Sequence, residues 1–346
     1  AVVLFTASQY FSPIILRDII ESPQVYDATA DYLHWRTYGI FFSFLCVMFR
    51  AYYVGITQTK ILTINSVVML LSNVVLNYCL IFGKGGFPVM GIAGAAIASS
   101  VSEAVSLLFF IIYTGTTADK RKYGFRRAFT FRPHLLKGML SISGWTMVQS
   151  FISVSIWFIF FLAIEHLGER PLAVTNIVRN ISALLIMVIS AFATTAGALI
   201  SNQIGAGEQR YLFRTCGMTL NLTYAILVPL LVILCLFPEP VLRVFTDNPS
   251  LIAASINSVY VMSTSTLIMA PAFILFNAVS GTGNTKAGFI MEMISLTVYT
   301  AAVYYIVIRL KPDVALCWFS EHVYGIALIA LAWWYLKSGK WRGKKV

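Results

Sequence analysis

Three carboxylates, Glu103, Glu292 and Glu321, interrupt long apolar runs of this sequence. An unpaired charge inside a bilayer costs at least about 2.5 kcal/mol on insertion scales, so each must be ion-paired, protonated or turned toward water. Each is a candidate for carrying a proton. By count Glu103 lies near the middle of its run, whereas Glu292 and Glu321 lie a turn or two from the ends of theirs, where an ion pair or interfacial water is the simpler expectation. Arg36, Arg50 and Arg179 are the basic counterparts within apolar runs. Inward-facing ion pairs would offset the cost of burying them. Asn73 and Asn77, four residues apart, project from one helix face and need partners in protein or water rather than lipid. Packing hydrogen bonds between helices, worth about 1 kcal/mol each, would satisfy that need without any further role. Gln149 and Asn180 fall in the first two apolar runs after the long polar stretch, where polar groups could line a cavity and touch a substrate.

The elements that must position these residues are membrane helices. Of the 346 residues 58% are hydrophobic and 11% charged, and the mean hydropathy is +0.79, which excludes an ordinary soluble domain. The apolar runs are about 20 residues long and do not alternate, so they are helices whose backbone hydrogen bonds close within the segment. About ten runs qualify: Val2 to Leu16, Trp35 to Val54, Ile61 to Phe82, Ile92 to Tyr113, Ile142 to Ile164, Leu172 to Ile200, Leu212 to Phe237, Leu251 to Val279, Ala287 to Ile308 and Val314 to Leu336.

The formal net charge of +11 does not imply nucleic acid, because its placement is topogenic. Lys120, Arg121, Lys122, Arg126, Arg127, Arg132 and Lys137 share one loop, and Lys337, Lys340, Arg342, Lys344 and Lys345 form the tail. The positive-inside rule makes loop and tail cytoplasmic, resting on anionic lipid. Acidic residues, among them Asp27, Asp31, Glu165, Glu169, Glu239, Asp247 and Asp313, favour the opposite side.

One signal occurs twice at the end of an apolar run, as Val54-Gly55-Ile56-Thr57-Gln58-Thr59-Lys60 and as Ser280-Gly281-Thr282-Gly283-Asn284-Thr285-Lys286. Its simplest role is to end a helix, with glycine in left-handed geometry and the lysine holding the cytoplasmic end. Around it, Trp35 to Tyr113 and Leu251 to Leu336 share one plan of span, turn with lysine, span, loop, span. Six spans separate equivalent segments, so the copies have the same orientation and should superpose by a rotation of about 180° around the membrane normal. Residues 1–114 thus form one lobe of about four spans, 115–140 a cytoplasmic linker, and 141–346 a second lobe of six spans and a basic tail. The spans from Ile142 and Leu172 have no counterparts before Val2, and Ala1 opens inside an apolar run without a charged flank. Two spans are therefore expected to be missing ahead of it.

Cys46, Cys79, Cys216, Cys235 and Cys317 show no metal or redox spacing, and His34, His134, His166 and His322 are scattered. Neither a metal, a cofactor nor a disulfide is expected, and no catalytic or nucleotide-binding motif marks an enzyme.

Four stretches carry a resemblance to the multidrug and toxic compound extrusion (MATE) transporters. Asn73-Val74-Val75-Leu76-Asn77-Tyr78, with Ile81 to Pro88 and Gly91-Ile92-Ala93-Gly94-Ala95-Ala96-Ile97-Ala98-Ser99, resembles the family's fifth and sixth spans. Asn202 to Gly207 resembles the turn after the eighth span, Ser280 to Lys286 that after the tenth, and Tyr32-Leu33 with Arg36 and Gly39-Ile40 the start of the fourth. The resemblance runs from the family's third span to its twelfth and implies an all-α membrane protein of two pseudo-symmetric lobes, six spans each in the family and about four plus six here. It places Asn73, Asn77 and Ser99 around the amino-terminal cation or proton site, whose aspartate would lie on the family's first span, and Glu103 is grouped with them as a candidate. Some members use acids in the seventh and tenth spans, yet Ile142 to Ile164 and Leu251 to Val279 contain none, which speaks against coupling through the second lobe by that route.

The function expected is secondary active efflux of an organic, cationic compound in exchange for H+ or Na+, by a monomer in the inner membrane with no nucleic-acid partner. A lipid-linked saccharide flippase of the same superfamily is the alternative, favoured by a basic cavity that could hold pyrophosphate; a non-transporting fragment is another.

Overall fold

The computed structural model describes residues 1–19, 23–117, 133–310 and 312–342. Its ordered elements are helices throughout these segments, gathered in two compact units, Ala1–Phe131 and Arg132–Val346. The first holds α1 (Val2–Ile19), α2 (Pro23–Gly55), α3 (Lys60–Phe82) and α4 (Gly91–Thr117). The second holds α5 (Pro133–Glu165), α6 (Glu169–Gly205), α7 (Leu212–Leu236), the short α8 (Pro238–Arg243), α9 (Pro249–Gly281), α10 (Thr285–Val303), a π-helical extension Tyr304–Leu310, the single turn α11 (Val314–Cys317) and α12 (Phe319–Ser338). Among the described residues nine helical segments are long and apolar enough to cross a membrane, and α1 is a shorter apolar helix. The chain is a multi-pass, all-α membrane protein. The basic cluster from Lys120 to Arg132 and the tail lysines 344 and 345 lie outside the described residues.

Several helices begin before the apolar runs do. Within the described residues α2 is already helical at Pro23 and α5 at Pro133, each ahead of the hydrophobic stretch. α9 begins at Pro249; proline suits the first helical position, where its fixed φ is preorganised and its missing N–H would have been unpaired anyway. Asn248 precedes it, and its side chain accepts the Ser250 N–H at 3.0 Å as an N-cap. Bilayer thickness limits the apolar run, not the helix.

The same packing order recurs in both units. α4 packs along both α2 and α3, which touch each other little; α12 packs along both α9 and α10. The tightest pair in the second unit is α6 with α9. On α6 the buried residues Val174, Val178, Ile181, Leu185, Ile189, Ala193, Ala196 and Ile200 recur every three or four positions and form one stripe. Toward the end of this contact the side chains shrink. A Cβ on Gly281 would stand 2.5 Å from the carbonyl oxygen of Gly197, so glycine there is what lets the backbones of α6 and α9 approach. Conversely, Leu70, Leu71, Val74 and Val75 of α3 are exposed, as a surface meeting lipid should be.

The repeated turns need one correction. In the second copy the left-handed residue is a glycine, Gly283 at φ 77°, but in the first copy it is Thr57 at φ 61°, with Gly55 the last residue of α2. A β-branched residue in that region is strained by about 1–2 kcal/mol. Thr57→Gly is therefore expected to stabilise the protein by about 0.5–1 kcal/mol after the extra entropy of glycine in the unfolded chain is subtracted. A lowered thermal midpoint in detergent would contradict that assignment.

Candidate functional site

In the first unit the intramembrane polar residues sort into two groups. Asn73 and Asn77 face α4 from α3: the Asn77 amide donates to Asn73 Oδ1 at 2.9 Å, and the Asn73 amide donates to Ser102 Oγ at 3.2 Å and Ser99 Oγ at 3.5 Å. Asn77 Oδ1 is buried with no partner among the described residues. The three residues singled out from the sequence thus meet, and Ser102 joins them. Further along the same seam Asn65 and Ser106 exchange hydrogen bonds, the amide donating at 2.8 Å and the hydroxyl at 3.1 Å. Neither residue stands out in the sequence, although the spacing of Ser99, Ser102 and Ser106 by three and four residues marks a polar stripe on α4.

Glu103 belongs to the other group. It faces α2, where Arg36 grips it in a fork, Nη1 to Oε2 at 3.1 Å and Nη2 to Oε1 at 2.7 Å. A Cβ on Gly39, one turn after Arg36, would overlap both the guanidinium and the carboxylate, which is why the Arg36–Gly39 spacing accompanies this pair. Among the described residues no other ion pair forms. Arg50 and Arg179 do not point into ion pairs as their positions suggested; both are exposed, and the Arg179 guanidinium lies over the Phe161 ring at 4.8 Å. Asn180 is exposed as well.

The second unit contains the larger feature, a cavity of about 650 Å³ between α5, α6, α9, α10 and α12. Gln149 and Ser153 line it from α5, Phe273 and Asn277 from α9, and both Glu292 and Glu321 open onto it. The expectation that these glutamates would reach interfacial water or an ion pair fails: they are 4% and 5% exposed and neither has a basic partner. Tyrosines bury them instead, in a reciprocal arrangement. Tyr324 on α12 donates to Glu292 Oε1 at 2.9 Å, and Tyr299 on α10 donates to Glu321 Oε1 at 3.0 Å. Each carboxylate is held by the other one's helix, and the two rings meet edge to face with centroids 5.8 Å apart. Ser153 adds a hydrogen bond to Glu292 Oε1 at 2.9 Å, while Glu292 Oε2 is buried without a partner. Phenol and hydroxyl donors satisfy lone pairs but supply no positive charge.

No described group of three or more His, Cys, Asp or Glu could hold a metal ion. What the cavity offers is an aromatic and apolar wall with two acids and no cation of its own.

Comparison with known proteins agrees with this architecture. The MatE family model matches residues 1–79 and 146–306. A probable multidrug resistance protein NorM from Thermotoga maritima is 26% identical over 286 residues, covering 79% of this chain and 59% of that protein. An uncharacterized transporter, YisQ, from Bacillus subtilis is 25% identical over 268 residues, covering 74% of this chain and 56% of that one. The chain thus spans little more than half the length of these curated relatives. Among solved structures, a MOP superfamily transporter from Pyrococcus furiosus superposes with a TM-score of 0.86 at 16% identity, over 99% of this chain and 76% of that one. A multidrug resistance MATE family transporter of the MOP superfamily in an outward-facing conformation gives 0.85 at 16% identity, over 97% and 76%. At such identity these likenesses speak for the fold, two helical lobes, while the family model covers well over half of the sequence: the chain belongs to the MatE family of membrane transporters.

Proposed function

We propose that the protein is a secondary active exporter of organic cations, driven by inward H+ or Na+, working as a monomer in a bacterial inner membrane with its linker and carboxy-terminus cytoplasmic. The observation that carries this reading is the cavity of the second unit, where Glu292 and Glu321 bring two acids into an aromatic wall that contains no Lys or Arg. A volume of about 650 Å³ suits a drug-sized molecule. The polarity also bears on the flippase alternative: a pyrophosphate group calls for basic donors, and this lining offers carboxylates. The names of the relatives, multidrug resistance proteins among them, support the same reading. In the first unit the Asn73, Asn77, Ser99 and Ser102 cluster is the proposed ion site, with Arg36 and Glu103 as its structural neighbours.

Everted vesicles carrying the native, full-length protein are expected to accumulate a fluorescent organic cation when an H+ or Na+ gradient is imposed, and to stop when the gradient is collapsed. Uptake indifferent to both gradients would rule out ion-coupled export.

A further inference from the structure

We propose that the end of the second unit from which the carboxy-terminal tail emerges binds an anionic phospholipid such as phosphatidylglycerol, its phosphate held by basic side chains in a furrow between α7 and α12. Five cations gather there: Arg210 and Arg214 where α7 begins, and Lys337, Lys340 and Arg342 where α12 ends. All five are exposed, and among the described residues none has a carboxylate partner. The one acid in these two stretches is Glu208. Like charges crowded at one place repel, and an anion from outside relieves that repulsion. An aromatic contact joins the two sets, since the Phe213 ring of α7 lies 5.2 Å from the Trp333 ring of α12. Arg210 is one turn ahead of Phe213 and Lys337 one turn beyond Trp333, so both stand on the tail side of that contact. None of these residues lines the cavity of Glu292 and Glu321.

A topogenic signal does not account for this arrangement, because it needs only basic residues near the end of a span and not a folded tail. Here the tail is folded. α12 ends at Gly339 in left-handed geometry, φ 67°, and the Arg342 N–H closes the turn on the Gly339 carbonyl at 2.9 Å. The Trp341 indole then donates to the Leu336 carbonyl at 2.9 Å, and its ring is buried in one cluster with Leu212 and Cys216 of α7. That staple returns Lys340 and Arg342 to the helix ends, where their charges stand over the Trp334 and Trp341 rings at 5.5 and 5.6 Å. The Arg210 guanidinium is likewise stacked on Tyr211 at 4.7 Å. Stacking leaves the in-plane N–H donors of a guanidinium free, and their fork matches phosphate oxygens. Trp333 and Trp334 are both exposed, as indoles at headgroup depth are. Toward the bilayer the surface beside the rings is shallow: a Cβ on Gly217, one turn along α7 from Phe213, would meet nothing within 4 Å, and Ala330, one turn back from Trp333, is exposed. An acyl chain fits that furrow, which a free phosphate ion would leave empty. Because α7 and α12 otherwise make little direct contact, a lipid seated there ties them together.

The test uses the purified native, full-length protein in detergent, with dioleoylphosphatidylglycerol and dioleoylphosphatidylcholine as probes and native mass spectrometry to count retained lipid. Phosphatidylglycerol should be retained at an affinity at least about tenfold above that of phosphatidylcholine, and should raise the thermal midpoint of the protein. Arg214→Gln and Lys337→Gln should each weaken retention about fivefold, and together about 30-fold. Both side chains are exposed, so the variants should fold as the unaltered protein does. Lys137→Gln, which removes the same charge from the exposed start of α5, should leave retention unchanged. Brominated acyl chains on phosphatidylglycerol should quench tryptophan fluorescence, and should quench it less when Trp333 and Trp334 are both replaced by Phe. The proposal is overturned if the two lipids are retained alike, or if Lys137→Gln weakens retention as much as Arg214→Gln, which would mean diffuse attraction to the surface. It is equally overturned if inorganic phosphate raises the thermal midpoint as far as phosphatidylglycerol does, which would make this a plain anion site.

Discussion

Arg36→Ala is expected to destabilise the protein by about 3 kcal/mol, because it removes the charge that neutralises a buried carboxylate and leaves Glu103 unpaired within the membrane. The lower end of the usual range applies, since the Arg36 side chain is 33% exposed and Glu103 9%. Replacing both members of the pair separates this cause from lost packing. Arg36→Met with Glu103→Leu should recover most of the lost stability, as buried ion pairs exchanged for apolar residues of similar volume often do. Thermal unfolding in detergent of the two single variants and the double variant measures it. If the double variant proved less stable than Arg36→Ala, the pair would be holding something beyond its own charges.

The second large effect is on activity rather than stability. In the native, full-length protein Asn77→Leu should abolish ion-driven export, since it removes the amide that donates to Asn73 Oδ1 and the buried Oδ1 that no protein group engages. Folding should change little, because the bond lost joins two residues of the same helix, and even a hydrogen bond between helices in a membrane is worth only about 1 kcal/mol. Vesicle export under an imposed gradient, normalised to protein level, is the measurement. Normal export would reduce the Asn73 cluster to packing and shift ion coupling to Glu292 and Glu321.

The two predictions differ in how visible their residues were beforehand. Asn73 and Asn77 announce a shared face through their spacing of four, and Ser99 through its motif, so their meeting across α3 and α4 was readable. Ser102, which makes the shorter of the two Asn73 contacts to α4, was not, because serine is common in membrane helices and carries no signal by itself. Glu103 sorts differently. It neighbours Ser102 on α4 and so points about 100° away from the Asn73 cluster, toward α2 and Arg36, in the kind of inward-facing ion pair expected for charges within apolar runs.

Glu292 and Glu321 show the limit from the other side. Counting residues placed them near the ends of apolar runs, where water is near, and an isolated helix would indeed expose them. Burial came from partners far along the chain: Ser153 lies 139 residues from Glu292, and Tyr299 lies 22 from Glu321 on a different helix.

Membrane residence, helical class, the boundaries of most spans and the two-lobe plan followed from the sequence alone, because a bilayer forces backbone hydrogen bonds to close within each helix and so makes the length of an apolar run decisive. Which intramembrane acid is paired and which is left facing a cavity was decided only in the tertiary structure. Helix rotation settles that question, and rotation depends on close approaches such as Gly281 on Gly197 and Gly39 beneath Arg36 and Glu103, where lipid supplies no hydrophobic force and the fit between neighbouring helices sets which way each side chain turns.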